Sequence, residues 1–128
     1  MAVTHSTTIR NQLCNLVVDA LDSGSTYTYP RLVFRDGSNN DLCINNFTGT
    51  TAFAAASNGT ALANNIADGT VTQAGTCSKF VLQDQDGTTV VTGSVTTQGG
   101  GGDIELSSVA FSVSDTVNIS TLSYAAAS

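Results

Sequence analysis

Short apolar runs separated by turn-forming residues dominate this chain from residue 31 onward, and they restrict it to a β-rich fold. Residues 79–83 and 89–95 are two such runs, and Asp84-Gln85-Asp86-Gly87 lies between them. Asp-Gly between two β-prone runs is a strong hairpin signal, because glycine tolerates the positive φ that tight turns require. Residues 31–35 and 42–44 show the same pattern around Asp36-Gly37. We therefore predict two antiparallel hairpins.

Further strands are predicted toward the C-terminus. Residues 104–106 alternate between apolar and polar types, and residues 117–124 alternate with one slip near Thr121 that we interpret as a β-bulge. The Ala- and Asn-rich stretch 50–68 is compatible with a loop, a short helix or an irregular strand. The predicted fold is mainly β: an antiparallel β-sandwich or jelly-roll-like sheet with one N-terminal amphipathic helix.

The helix is predicted from Ser6 to Leu21, where apolar residues recur with a period of 3.6. Thr4, Ser6 or Thr7 can cap its N-terminus, and Gly24 can take the left-handed conformation beyond its end. We expect the apolar face to pack on the sheet or on a neighbouring subunit. That face consists of Ile9, Leu13, Leu16, Val17, Ala20 and Leu21. The chain is interpreted as one domain, 1–128, with an arm and helix at 1–24 and a β-rich body at 25–128.

Charged residues make up only 11% of the chain, well below the roughly 25% usual for soluble proteins. Its surface must therefore consist largely of Thr, Ser, Asn and Gly, whose polar groups are less costly to bury than ions. This composition favours a subunit of an assembly. The alternative is a monomer whose Thr- and Ser-rich strands reflect β-propensity alone.

The net charge of −6 argues against nucleic acid or an anionic membrane as a direct partner. The four basic residues are scattered along the sequence and form no run: Arg10, Arg31, Arg35 and Lys79. The chain also contains no apolar run of the roughly 20 residues that a membrane-spanning helix needs. Neither partner is expected.

Three cysteines, Cys14, Cys43 and Cys77, cannot all pair within one chain, and none has the C-x-x-C spacing of zinc or redox sites. We expect reduced, buried thiols. Because the N-terminus also lacks the basic and apolar regions of a signal peptide, synthesis and retention in a cytoplasm are expected.

No constellation of catalytic residues is visible. The only histidine, His5, precedes the helix, where a general base would be poorly positioned. The Asp84-Gln85-Asp86-Gly87 turn resembles the start of a calcium loop but lacks the closing glutamate. Gly99-Gly100-Gly101-Gly102 lacks the Lys-Ser/Thr of a phosphate loop and is interpreted as a flexible corner or a close contact point at an interface. We expect no enzyme and no cofactor.

Three stretches resemble small virion proteins of tailed bacteriophages: residues 4–11, residues 79–88 and residues 99–108. The resemblance implies a capsid cement or decoration protein, commonly a homotrimer, that binds the outer shell and bridges neighbouring copies of the major capsid protein. It implies a location on the capsid surface of the virion after synthesis in the host bacterial cytoplasm. The expected partner-binding residues are Thr4, His5, Ser6, Thr7, Arg10, Gly99, Gly100, Gly101 and Gly102.

Two alternatives remain open at this point. The first is a tail, neck or fibre component of the same virion, which would differ in the number of copies per particle. The second is a carbohydrate- or calcium-binding β-domain, with Tyr27, Tyr29 and Tyr124 as sugar-stacking candidates and the Asp turns as metal ligands.

Overall fold

The computed structural model describes residues 5–48, 51–119 and 122–125, and within them it has one helix followed by short strands. The helix α1 spans Thr7–Ala20. The strands are β1 (Arg31–Arg35), β2 (Asp41–Asn46), β3 (Thr60–Leu62), β4 (Gly69–Thr70), β5 (Gly75–Thr76), β6 (Lys79–Gln83), β7 (Thr89–Thr97), β8 (Ile104–Leu106), β9 (Ala110–Phe111), β10 (Thr116–Val117) and β11 (Ser123–Ala125). The predicted fold class, mainly β with one N-terminal helix, is confirmed.

A five-stranded sheet in the order β2-β1-β6-β7-β8 forms one layer. Both predicted hairpins are confirmed: β1 pairs with β2, and β6 pairs with β7, each antiparallel. β1 and β6 also pair antiparallel, with Val33 opposite Val81. The two hairpins therefore lie side by side and form the centre of the sheet.

The fifth strand is parallel to its neighbour, although only six residues connect β7 to β8. Parallel neighbours usually need a connection of a dozen or more residues. Here the glycine corner, residues 99–102, allows the chain to reverse twice within this short connection and run parallel to β7 again. Gly99 and Gly101 have positive φ, and a Cβ on Gly100 would lie 2.7 Å from the Cβ of Thr96. The glycine run is thus required by both backbone conformation and close packing.

Three two-stranded ladders accompany the sheet: β3 with β11, β4 with β10, and β5 with β9. The segment that carries β4 runs beside β2, with a bridge between Cys43 and Val71 and a hydrogen bond from Thr72 N–H to Leu42 O at 2.9 Å. The prediction of one strand over 117–124 is wrong, because β10 and β11 are separate strands with different partners. The slip at Thr121 lies outside the described residues. In the 50–68 stretch, the described part is irregular and contains the short strand β3.

The core lies on the inner face of the sheet, where buried residues of the sheet, the ladders and α1 cluster together. Phe34 on β1 meets Phe111 on β9 edge to face, with ring centroids 6.0 Å apart. Phe47 and Phe53 form a second aromatic pair at 5.6 Å. Burying these large aromatic rings supplies much of the hydrophobic stabilisation.

The helix begins as predicted, because Ser6 is the N-cap and its hydroxyl accepts the Ile9 N–H at 3.3 Å. The prediction of its buried face is wrong in part. Cys14, Val18 and Leu21 are buried, whereas Ile9, Leu13 and Leu16 are 42%, 38% and 72% exposed. α1 therefore packs on its own domain through a different side.

Polar side chains explain the orientation of the helix. Three of them accept main-chain N–H groups from the 52–59 segment: Asn11 from Gly59 at 2.7 Å, Asn15 from Ala56 at 2.9 Å and Asp22 from Ala52 at 2.9 Å. These donors have no strand partner to satisfy them, and leaving a buried N–H unpaired costs about 1–3 kcal/mol. The side of the helix that carries the Asn11 and Asn15 amides is therefore the one that faces the body, and Asp22 extends the same contact just beyond the helix. No helix in the described ranges is long and apolar enough to cross a membrane.

Candidate functional site

The outer face of the five-stranded sheet gathers most of the cations of this acidic protein. Side chains alternate along a strand, so Arg31, Val33 and Arg35 share one face of β1. The register of β6 places Gln83, Val81 and Lys79 directly beside them. Three of the four basic residues of the chain thus lie on one surface, which we call the outer face. Its remaining members from the flanking strands are Ile44, Asn46, Thr92 and Ser94.

Each cation on the outer face is held by an oxygen acceptor. Arg31 donates to Gln83 Oε1 at 2.7 Å, and Lys79 donates to Asn39 Oδ1 at 3.1 Å. Because these two acceptors are uncharged amides, they orient the cations without neutralising them. Arg35 differs, since its Nε donates to Asp41 Oδ1 at 2.6 Å in an ion pair.

A hydrophobic row runs between the charged groups. Val33 is fully buried and Val81 is 3% exposed, although both lie on the outer face. The aliphatic stems of neighbouring Arg and Lys side chains can cover apolar atoms while their charged groups stay in water. The outer face therefore has two buried valines at its centre and basic residues on either side of them.

Two tyrosines border the outer face at its Arg31 end. The Arg31 guanidinium carbon lies 4.2 Å from the centroid of the Tyr27 ring, which is within cation–π range. Together with Tyr29 they line a depression of about 480 Å³. Its other lining residues are Thr28, Ile44 and Asn46.

The β6–β7 turn fixes the loop that carries these tyrosines. Asp86 Oδ1 accepts the N–H groups of Ser25 and Thr26, at 3.0 and 3.2 Å, and the Thr26 hydroxyl at 3.0 Å. These hydrogen bonds, the Ser25 N–H first, lower the pKa of Asp86 below its usual value. Tyr27 itself donates its main-chain N–H to Gln85 O at 2.7 Å. The acidic turn is thus a structural anchor for Tyr27.

No family model, no curated protein and no solved structure matches this chain. Interpretation of the site therefore depends on its own chemistry.

The predicted partner-binding residues fall on two separate elements. Ser6 and Thr7 form the start of α1, His5 is exposed just before it, and Thr4 lies outside the described residues. Arg10 packs against Gly59, where a Cβ would lie 2.7 Å from the guanidinium carbon. The four glycines, Gly99, Gly100, Gly101 and Gly102, form the corner between β7 and β8.

The glycine corner is closed by side chains of this chain. Gly99 and Gly101 donate their N–H groups to the carboxylate of Glu105 at 3.3 and 3.1 Å, and Gly102 donates to Thr96 Oγ1 at 3.0 Å. These donors would otherwise form a concave anion-binding surface. The Glu105 carboxylate occupies the position that a bound anion would take, and its hydrogen bonds to Gly99 and Gly101 hold the corner in place.

The Asp turns use their carboxylates to bind main-chain N–H groups. Asp84 Oδ1 accepts the N–H groups of Asp86 and Thr88, each at 2.9 Å. Asp36 Oδ1 accepts those of Ser38 and Asn40, each at 2.9 Å. Across residues 5–48, 51–119 and 122–125, no group of three or more His, Cys, Asp or Glu side chains is placed to hold a metal ion.

All three cysteines are buried, as expected. Burial raises the pKa of Cys43 and of Cys77 to about 11. A thiol with so high a pKa is almost entirely protonated near neutral pH and is a poor nucleophile. These cysteines therefore act in packing.

A second concave surface lies beside the end strand of the sheet. This groove of about 790 Å³ runs between β8 and the strands β9 to β11. Ile104, Phe111 and Val117 contribute apolar side chains, and Asp103, Glu105 and Asp115 contribute carboxylates. Asp103 is engaged by the Ser94 N–H and hydroxyl, at 3.0 and 3.1 Å. The groove is thus acidic, and Asp103 at its margin also reaches Ser94 on the outer face.

Sequence reasoning missed the outer face because it depends on strand register. Arg31 and Arg35 are four residues apart in one strand, so the alternation of side chains could have placed them together. Lys79 joins them only through the pairing of β1 with β6, which sets Lys79 opposite Arg35 although the two are 44 residues apart in sequence. No local pattern specifies that pairing.

Proposed function

We propose that this chain is a non-enzymatic virion structural protein, a capsid decoration protein that binds the outer shell and bridges major capsid subunits. The observation that carries the proposal is the outer face, where three of four cations surround a buried Val33–Val81 row in a chain of net charge −6. Among the described residues the ion pair found on this face is Arg35–Asp41, whereas Arg31 and Lys79 are held by uncharged amides and keep positive charge that favours an acidic partner.

The chemistry of the outer face suits a large protein surface. Arginine and tyrosine are enriched in the cores of protein interfaces, because both offer apolar area together with hydrogen-bond donors. Arg31 is preorganised by Tyr27 and Gln83, so little side-chain entropy is lost when it binds. The Thr92 hydroxyl beside them is inexpensive to desolvate compared with an ion.

The resemblance to small phage virion proteins supplies the identity of the partner. A shell under internal pressure is stabilised by any protein that binds only its assembled, expanded form. On this proposal each copy places its outer face on the major capsid protein.

Shell binding tests the proposal. Purified protein is incubated with expanded empty shells of the phage that encodes it, and the bound fraction is measured by co-sedimentation over a range of salt concentrations. We expect saturable binding that weakens as salt rises, since charge pairs are screened. Absence of binding at micromolar concentration would contradict the proposal.

A pair of variants locates the binding face. Lys79→Gln removes one positive charge from the outer face, whereas Gln73→Glu lowers the net charge equally at an exposed loop position elsewhere. We expect Lys79→Gln to weaken shell binding several-fold and Gln73→Glu to leave it within twofold. Equal effects would show that net charge, and not the outer face, governs binding. Counting copies per particle then separates a decoration protein from a tail, neck or fibre component.

A second candidate function, carbohydrate binding, is favoured by the depression beside Tyr27 and Tyr29. Two aromatic rings with Arg31 and Asn46 provide stacking surfaces and hydrogen-bond donors for a sugar. The third tyrosine named in the sequence, Tyr124, lies on β11 and does not line this depression. Calorimetric titration with host surface glycans tests this function, and an absence of heat would remove it.

A further inference from the structure

The outward side of α1 carries an apolar stripe that its own domain does not cover. We define the exposed stripe as the exposed residues Ile9, Leu13 and Leu16 together with the half-buried Ala20 at its end; the four are spaced by four, three and four residues. At about 100° per residue this spacing keeps all four on one line along the helix. The buried residues Cys14, Val18 and Leu21 lie on roughly the opposite side. The helix therefore has two apolar sides, of which the domain uses one.

The spacing of the exposed stripe is that of a helix-pairing seam. Apolar residues at alternating intervals of three and four pack as knobs into the holes of a facing helix. Leu16, the most exposed member at 72%, lies near the middle of the stripe. Exposed apolar residues grouped in this way mark a protein contact more often than isolated ones do.

Charge on α1 permits a second copy of the same chain as the occupant. The helix contains one cation, Arg10, and one anion, Asp19, so its net charge is zero in a chain of −6. Two copies can therefore approach through their helices with little of the repulsion that their bodies would experience. A membrane surface is disfavoured as the occupant, since α1 lacks the Lys- and Arg-rich polar face of interfacial helices.

We propose that the exposed stripe pairs with the exposed stripe of a second copy, antiparallel and related by a two-fold axis. In this arrangement Ile9 faces Ala20 of the second copy, and Leu13 faces its Leu16. Large residues then meet small ones at both ends and the two leucines meet at the centre, so the helices stay evenly spaced. A parallel arrangement would set Ala20 against Ala20 and leave a gap.

Two further contacts follow from the antiparallel geometry. Gln12 and Asp19 flank the stripe on the same side, and the two-fold axis places Gln12 of one copy near Asp19 of the other. An amide donating to a carboxylate is a favourable charge-assisted hydrogen bond. The two Asp19 residues of the dimer do not face each other, so their charges do not repel at close range.

The size of the stripe sets the expected strength. α1 has 14 residues and is therefore about 21 Å long. One helix pair of this length buries less than the roughly 1,200 Å² of a standard stable interface. The dimer is accordingly a reversible one, formed at tens of micromolar on an order-of-magnitude expectation.

Sedimentation of the full chain tests the pairing. The average mass is expected to rise from 13.1 kDa toward twice that value as concentration increases from about 1 to 500 μM. Leu16→Gln is expected to hold the mass at one chain throughout. Leu62→Gln is the matched control, because Leu62 is also an exposed leucine, 61% exposed, but lies on β3. It is expected to dimerise like the unmodified chain.

Cysteine cross-linking tests the antiparallel orientation. Two Ala20 positions are about 16 Å apart in the proposed dimer, too far for a disulfide, whereas Ile9 and Ala20 of the two copies are adjacent. An equimolar mixture of Ile9→Cys and Ala20→Cys proteins is expected to form a mixed disulfide dimer, and Ala20→Cys alone is not. The buried native cysteines react slowly and serve as an internal background.

Several results would overturn the proposal. They are a monomer at every concentration, a loss of dimerisation by Leu62→Gln equal to that by Leu16→Gln, and efficient cross-linking of Ala20→Cys alone. A monomer in which Leu16→Gln nevertheless abolishes shell binding would assign the stripe to the shell. Because these measurements use the free protein, their failure is distinct from a failure of shell binding.

Discussion

The side-chain amide of Asn45 donates to the main-chain carbonyl of Val117 at 3.0 Å, across 72 residues of sequence. Asn45 is fully buried on the inner side of β2 and also donates to Ala67 O at 3.2 Å. One amide thus satisfies the carbonyl of Val117 on β10 and that of Ala67 just before β4, and it joins β2 to the β4–β10 ladder.

Replacing this amide should be costly. We expect Asn45→Ala to lower the free energy of unfolding by about 3 kcal/mol, because two buried carbonyls lose their donor and a small cavity forms. The control is Asn46→Ala at the exposed neighbouring position, for which we expect a change below about 0.5 kcal/mol. Urea unfolding measures both. Similar losses for the two variants would contradict the role assigned to Asn45.

The glycine corner should distinguish backbone strain from steric overlap. Gly99 has φ of +87° and open space around it, so Gly99→Ala should cost only the strain of a left-handed residue, about 1 kcal/mol. Gly100→Ala should cost at least about 2 kcal/mol, since its Cβ would lie 2.7 Å from Thr96 and force β8 to move. Thermal unfolding measures the difference. A larger loss for Gly99→Ala than for Gly100→Ala would contradict the roles assigned to these glycines in the corner between β7 and β8.

Stability should fall in acid partly through Asp86. Because the folded-state pKa of Asp86 is lowered, its contribution is present above about pH 4, where the unfolded-state carboxyl ionises, and is lost as pH falls through the folded-state pKa. Asp86→Asn keeps an acceptor oxygen but has no proton to bind. Urea unfolding at pH 7 and pH 3 should therefore show a smaller acid loss for Asp86→Asn than for the unmodified chain. An equal loss would assign the acid sensitivity to other carboxyls.

Asp22 should behave in the opposite sense. Burial raises the pKa of this carboxyl, so its ionised form lowers stability above the folded-state pKa, and this cost disappears as pH falls. Asp22→Asn retains an acceptor for the Ala52 N–H and should match or exceed the unmodified chain at pH 7. Asp22→Ala removes the acceptor and should lose about 1 kcal/mol. Denaturation of all three at pH 7 and pH 4 checks the ranking, which would be wrong if Asp22→Asn were the least stable.

The cysteine thiols should be unreactive in the folded protein. With a pKa of about 11 in place of 9.0, the thiolate fractions of Cys43 and Cys77 at pH 8 are about 100-fold lower than in an exposed cysteine. In buffer, labelling of these thiols with Ellman's reagent should be slower than labelling of an exposed cysteine by at least that factor. In about 6 M guanidinium, which unfolds the chain, all three thiols should react quickly. Rapid labelling of the folded chain would show that the core opens.

Local signals were sufficient for much of the fold. The helix was predicted within one residue of its observed ends, because N-capping by Ser6 and a 3.6-residue period act over neighbouring residues. The strand at 79–83 and its Asp-Gly turn were predicted for a similar reason, since glycine at position 87 has the positive φ that the turn requires. The 117–124 region was mispredicted, because alternation cannot show that β10 and β11 pair with different strands.

The sequence by itself therefore determined where the helix, the two hairpins and the glycine corner occur. Only the tertiary structure decided which side of α1 is buried. That choice depends on the N–H groups of Ala52, Ala56 and Gly59, which have side-chain acceptors from the α1 region in place of strand partners. The tertiary structure also decided that Arg31, Arg35 and Lys79 share one surface, since register between distant strands sets side-chain proximity. Both decisions arise from long-range hydrogen bonding, which short-range patterns of apolar residues do not encode.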